Sequence, residues 1–155
     1  MRLIFARRRT LGSVLIRWFT WSAWSHVAVT FDGHTIIDAT LKHGGVKLHG
    51  WREFMDEYPD RMLVNVALPD EEAAHAWLLA QLGKRYDWTA LVGLVMRSRR
   101  WADPSAWFCS ELVAAAIAAG GLPLFSEEVA RITPRDLALI NLPQLRHLGV
   151  SSSAF

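Results

Sequence analysis

The stretch Ser25-His26-Val27-Ala28-Val29-Thr30-Phe31, with Asp32-Gly33 and then His34-Thr35-Ile36-Ile37-Asp38-Ala39-Thr40, decides the fold. Residues 25–31 alternate and are β-branched, which is the pattern of a strand, and residues 34–40 read as a second. Asp32-Gly33 between them is a hairpin signal. Val27, Val29 and Phe31 fall on one face of the first strand, and His26, Ala28 and Thr30 on the other. A three-residue loop (Phe31, Asp32, Gly33) with a left-handed Gly33 sets Thr30 opposite His34, Val27 opposite Ile37 and Asp38 opposite His26. A two-residue loop sends Asp38 to the other face. The apolar pairing of Val27 with Ile37 supports the longer loop.

Working outward, Leu11 to Trp21 reads as a helix before the hairpin. Gly44-Gly45 after it opens a third strand, Val46 to His49. Trp51 to Tyr58 reads as a short helix, and Arg61 to Leu68 as a fourth strand. Pro69-Asp70-Glu71-Glu72 starts a helix running to Leu82 and stopping at Gly83. Trp88 to Met96 reads as a helix and Arg97 to Pro104 as a basic loop. Trp107 to Ala119 is a helix closed by Gly120-Gly121. Thr133 caps a last short helix with Pro134 at its first position. Helices around hairpin-connected strands predict an α+β fold, with a small antiparallel sheet packed against the cysteine-bearing helix.

At 155 residues the chain reads as a single domain spanning residues 1–155, long enough to bury a core without disulfides. Its lone cysteine excludes an intrachain disulfide and a Cys-rich zinc site. A net charge of +2 gives no argument for nucleic-acid binding. The charge is uneven: residues 1–17 carry Arg2, Arg7, Arg8, Arg9 and Arg17 and no acid. Arg7-Arg8-Arg9 ahead of an apolar run is similar to the start of a signal peptide. Arg17 breaks that run and no small-x-small site follows, so a cytoplasmic protein without a leader is expected. No stretch reaches the roughly 18 apolar residues of a transmembrane helix. Trp18, Trp21 and Trp24 are three residues apart. They fit either a core-facing stripe, which is the expectation, or a basic, Trp-rich surface touching lipid through residues 1–24.

Cys109 opens an apolar helix in Trp107-Phe108-Cys109-Ser110-Glu111-Leu112. Free cysteine is commonly a small buried hydrophobe. At a helix N-terminus, however, the partial positive charge and unpaired N–H groups favour a thiolate and can bind an oxyanion. Glu111, two positions on, is expected to cap the helix rather than touch sulfur. A nucleophilic cysteine needs an imidazole. His34, His43, His49, His75 and His147 read most simply as surface residues. His26 lies within a strand among small neighbours, and Asp38 on the same face can fix its tautomer.

Three segments together, Ser25-His26-Val27-Ala28-Val29, Ile36-Ile37-Asp38-Ala39 and Phe108-Cys109-Ser110-Glu111-Leu112-Val113, resemble the circularly permuted branch of the NlpC-type papain-like hydrolases. The chain is most similar to the YiiX-like group, and more distantly to lecithin:retinol acyltransferase-like enzymes. In the permuted branch the histidine strand precedes the cysteine helix, as here. Gly83-Lys84-Arg85-Tyr86 is similar to the family's Gly-x-x-Tyr segment. Thr133-Pro134-Arg135-Asp136-Leu137 is similar to its terminal Thr-Pro-x-Asp-Leu. The resemblance runs from about Arg2 to Leu139.

The resemblance implies a permuted papain-like fold with Cys109 as nucleophile and His26 as general base. Asp38 takes a third position that in relatives is often Glu or His. Tyr86 matches the tyrosine beside the cysteine, implying a place in the pocket wall or oxyanion site. Trp24 and Trp107 adjoin the site in sequence and are candidate substrate contacts. The implied activity is a cysteine hydrolase (peptidase, amidase or acyltransferase) acting on a peptidoglycan peptide or a lipid-derived amide or ester, with no cofactor or metal. The alternatives are a catalytically inactive binding module, a membrane-surface adaptor, and a metal site built from His26, Asp38 and His43 or His49.

Overall fold

A computed structural model of the chain describes residues 1–87, 106–125 and 132–140. In chain order the elements are β1 (Arg2–Arg7), α1 (Leu11–Thr20), β2 (His26–Thr30), β3 (Thr35–Thr40), β4 (Gly45–Gly50), α2 (Trp51–Glu57), β5 (Asp60–Asn65), α3 (Glu71–Leu79), β6 (Arg85–Tyr86), β7 (Ala106–Trp107), α4 (Cys109–Ala119) and α5 (Pro134–Ile140). The helix expected over residues 88–96 and the loop over 97–104 lie outside the described residues. The strands form one seven-stranded sheet, ordered β5-β1-β2-β3-β4-β6-β7. Neighbours are antiparallel except β6 with β7, which run parallel. The fold is α+β, with a larger sheet than expected.

The extra strands carry little sequence signal. β1 lies between β5 and β2, and its Leu3, Ile4, Phe5 and Ala6 are all buried. A strand covered on both faces reads as a plain apolar run rather than an alternation. With Arg2 and Arg7 at its ends, the run shows in the sequence as positive charge rather than as a strand. β6 and β7 are two residues each, too short for any period to show.

The sheet separates two cores. On one face Leu3, Phe5, Val27, Val29, Ile37, Ala39 and Val46 pack against Leu112, Val113, Ala116 and Ile117 of α4. Each fully buried Leu, Ile or Val there contributes about 1.5–3 kcal/mol, and the alanines of α4 let the helix approach closely. On the other face Ile4, Ala6, Ala28 and Ile36 pack against Phe54 and Tyr58 at the end of α2. Gly45 joins β4 to β6: a Cβ there would lie 2.0 Å from the Lys84 carbonyl oxygen. Only glycine admits that approach.

Three local expectations need correction. The β2–β3 turn is longer than three residues, and the register sets Val29 against Ile37 and Thr30 against Ile36. The Asp32 carboxylate accepts the His34 and Thr35 N–H groups at 2.8 and 2.7 Å, which widens the loop. The cysteine helix starts at Cys109, with Trp107 in β7 instead. The tryptophans at 18, 21 and 24 do not form a core stripe. Trp18 and Trp21 are exposed and only Trp24 packs on the core, because α1 ends at Thr20 and Trp21 turns left-handed with φ 50°.

Candidate active site

The corrected register moves Asp38 two residues along the ladder but keeps it on the face of His26. A shift by an even number of residues preserves facing. Continuing the pairing of Val29 with Ile37 sets Asp38 opposite Ala28, so His26 is its diagonal neighbour. On the other flank Asp38 pairs with Lys47 and Ile36 with His49, so His49 is the diagonal neighbour from β4. Asp38 thus receives an imidazole from each side. His26 Nε2 lies 2.7 Å from Asp38 Oδ2, and His49 Nε2 lies 2.9 Å from Asp38 Oδ1. All three side chains are buried.

The electrostatics follow from this sharing. Burial works against a charged Asp38, but the hydrogen bond from His26 and the close His49 imidazole outweigh it and hold the carboxyl at about 2. Burial likewise opposes a charge on His26. Tyr58, the hydrogen bond with Asp38 and the neighbouring Cys109 overcome it and raise the ring well above its usual value. Contact with Asp38 raises His49 as well, against its own burial. The Tyr58 ring stacks on His26 at 5.0 Å between centroids with planes 10° apart, and Phe54 stacks on Tyr58 at 4.6 Å. Asp38 engages Nε2 of His26, and Nδ1 is the ring's other polar atom.

Cys109 comes from the opposite core. The β2–β3 ladder is formed at Val29–Thr30, and at the other end of β2 His26 is near enough to Cys109 for the thiol to influence its ring. The Phe108 N–H donates to Glu111 Oε2 at 3.4 Å, so Glu111 caps the helix as expected. The hydroxyl of the adjacent Ser110 donates to the Ile132 carbonyl. Cys109 is 1% exposed.

A cleft of about 200 Å³ reaches the site, lined by Arg8, Ser13, Ser25, His26, Tyr58 and Tyr86 among others. Tyr86 therefore stands in its wall. Burial, followed by the nearby Cys109, raises the phenol well above its usual value, so it remains a donor. Trp24 and Trp107 are not among the cleft's lining residues. Trp107 donates its indole N–H to Gln81 at 3.1 Å and meets Trp77 edge-on. Trp24 lies under the Arg7 guanidinium, 5.7 Å from the ring centroid.

His49, expected at the surface or as a metal-ligand alternative beside His26 and Asp38, is buried against Asp38, and Tyr58 and Phe54 carried no sequence signal for the site. Extending the strand alternation across Gly44-Gly45 puts His49 beside Asp38. Phe54 and Tyr58 are four apart at the end of α2, the spacing of one helical stripe. His43, His49 and Glu53 place ligand atoms within 4.8 Å of one another. His49 is committed to Asp38, and three donors fall short of a closed tetrahedral site, so no ion is assigned to them. His26 and Asp38 are bonded to each other rather than aimed at a shared ion.

The chain is similar to the crystal structure of metalloprotein yiiX from Escherichia coli O157:H7, with a TM-score of 0.65 and 18% identity, over 99% of this chain and 94% of that one. At that identity the likeness shows the fold, which is YiiX-like. No protein-family model and no curated protein sequence matches the chain.

Proposed function

We propose that the protein is a papain-like cysteine hydrolase or acyltransferase of permuted order, with Cys109 as nucleophile, His26 as base and acid, and Asp38 as the group that orients and charges His26. One observation carries this reading: the buried His26 imidazole is hydrogen-bonded to the buried Asp38 carboxylate at 2.7 Å, with the Cys109 thiol among the neighbours that raise the ring. In this mechanism the Cys109 proton passes to His26, and the sulfur forms a bond to an amide or ester carbonyl carbon. The Cys109 N–H, which has no intrahelical acceptor in the first turn of α4, and the Tyr86 hydroxyl stabilise the oxyanion. As the C–N or C–O bond breaks, His26 returns the proton to the leaving amine or alcohol. Water, or an acceptor, then attacks the thioester while His26 takes its proton; the C–S bond breaks, the acyl product leaves, and His26 returns the proton to the Cys109 sulfur. His49 positions Asp38 and touches no substrate.

The substrate is a peptidoglycan peptide or a lipid-derived amide or ester. The reading is tested with a thiol-directed activity probe, followed by a screen of peptidoglycan fragments against acylated amines and lipids. Turnover by the wild type and none by a folded Cys109→Ala variant is the expected result. Equal turnover by that variant overturns it. The burial of Cys109, which keeps it off the cleft surface, favours a second reading, a binding module in which the thiol is core packing. Under that reading the probe leaves Cys109 unmodified and no substrate turns over.

A further inference from the structure

Helix α1 is inside out. Its buried positions, Ser13 and Thr20, are polar. The Ser13 hydroxyl lies 2.7 Å from that of Ser25, and Thr20 donates to its own helix at the Ile16 carbonyl. Its outward face is apolar: Leu11, Leu15 and Trp18 are 84%, 53% and 68% exposed, and Trp21 just beyond is 82% exposed. At 100° per residue Leu11, Val14, Leu15 and Trp18 share one side of the helix. An apolar face this continuous on a protein surface marks an interaction site.

The charges around the face identify its occupant. No acidic residue precedes Asp32 in the chain. Arg9 is exposed beside the start of α1, and Arg17 flanks the apolar face. Arg7 and Arg8 are engaged by Asp60 and Glu57, and neither Arg9 nor Arg17 has an ion pair among the described residues. A second copy of the chain would bring these cations against each other. An anionic lipid surface accepts them, takes up the leucines, and suits indoles at the level of the headgroups. We infer that the outward face of α1 docks on an anionic lipid bilayer.

Docking there has a consequence for the cleft. Gly12, Ser13 and Ile16 on the next side of α1 line it, and the exposed Leu41 and Lys42 stand on its other rim. The mouth then opens at the lipid interface. The docking itself needs no chemistry at Cys109 and stands apart from the hydrolase reading.

The test is sedimentation of the full chain with phosphatidylcholine vesicles, with and without phosphatidylglycerol. Expected is binding that requires phosphatidylglycerol, weakens as salt is raised, persists in Cys109→Ala, and falls at least about 10-fold in a Leu15→Glu, Trp18→Glu double variant. Both positions are on the surface, so the fold is kept and far-ultraviolet circular dichroism confirms it. Arg9→Glu with Arg17→Glu lowers binding on the anionic vesicles. Equal binding by wild type and the Leu15/Trp18 variant, or no vesicle binding by the wild type, overturns the inference. A dimer in solution that the same variant dissociates, without vesicle binding, assigns the face to a second copy.

Discussion

His49 holds the Asp38 carboxylate from β4 at 2.9 Å while His26 holds its other oxygen from β2 at 2.7 Å. One buried charge thus lies between two imidazoles. A carboxylate with one partner can rotate, whereas one gripped at both oxygens across neighbouring strands is fixed with the sheet. The orientation of His26 is therefore set by the strand register itself.

Removing the charge while keeping the shape isolates its role. Asp38→Asn is expected to lower turnover, or the rate of Cys109 alkylation at neutral pH, on the order of 10²- to 10⁴-fold. It leaves two histidines facing an amide and costs about 3–5 kcal/mol of stability, the range for breaking a buried charged pair. Alkylation kinetics and urea unfolding read the two effects separately.

The pH dependence has a definite sign. Asp38 is depressed to about 2 in the folded chain, so its contribution is present above the unfolded value near ~3.9 and is lost as pH falls toward 2. His26 is raised, so its contribution is full below the unfolded value near ~6.5 and is lost as pH climbs through the folded one. The stability gap between wild type and Asp38→Asn is therefore widest between pH ~4 and ~6.5 and narrows on both sides. Urea denaturation across that range measures it. A gap independent of pH contradicts the shared-charge account.

His49→Leu removes one of the two grips on Asp38. The folded Asp38 value is expected to rise toward the unfolded one, and acid unfolding then begins at higher pH. Activity is expected to fall less than in Asp38→Asn, because His26 keeps its own bond. An equal loss in both variants would give His49 a direct part in the chemistry.

Tyr58 separates stacking from charge. Tyr58→Phe preserves the face-to-face contact with His26 but removes the phenol oxygen that helps raise the ring, so it is expected to cost far less stability than Tyr58→Ala while lowering the His26 value. Tyr58→Ala opens a cavity beside His26 and Phe54 and costs about 3–5 kcal/mol. Thermal unfolding of the pair distinguishes them.

Gly45→Ala sets a methyl group against the Lys84 carbonyl oxygen, 2.0 Å from the ideal Cβ position. The backbone of β6 must move, and Tyr86 with it. A loss of at least about 2 kcal/mol in unfolding free energy is expected, together with altered access of small thiol reagents to Cys109.

Much of this was legible in the sequence because alternation survives errors of register. The loop length was misjudged, yet Asp38 stayed on the His26 face, since the correction was an even number of residues. Cys109 at a helix start and Glu111 as its cap follow from local chemistry alone. His49 was not legible without a register across Gly44-Gly45, because its partner is a diagonal neighbour on another strand. β1 was hidden because a strand buried on both sides loses its period. The outward tryptophans of α1 deceived for the opposite reason: a helical stripe shows that a face is apolar, not which way it points.

The central claim is that Cys109, activated by His26, takes up an acyl group. Intact-protein mass spectrometry after brief exposure to a p-nitrophenyl acyl ester, with the adduct mapped by proteolysis, tests it without knowledge of the natural substrate. The account predicts one acyl group on Cys109 in the wild type, none at that position in Cys109→Ala, and acylation at least about 100-fold slower in His26→Ala. No acyl group on Cys109, or acylation of Cys109 at the wild-type rate in His26→Ala, would contradict it.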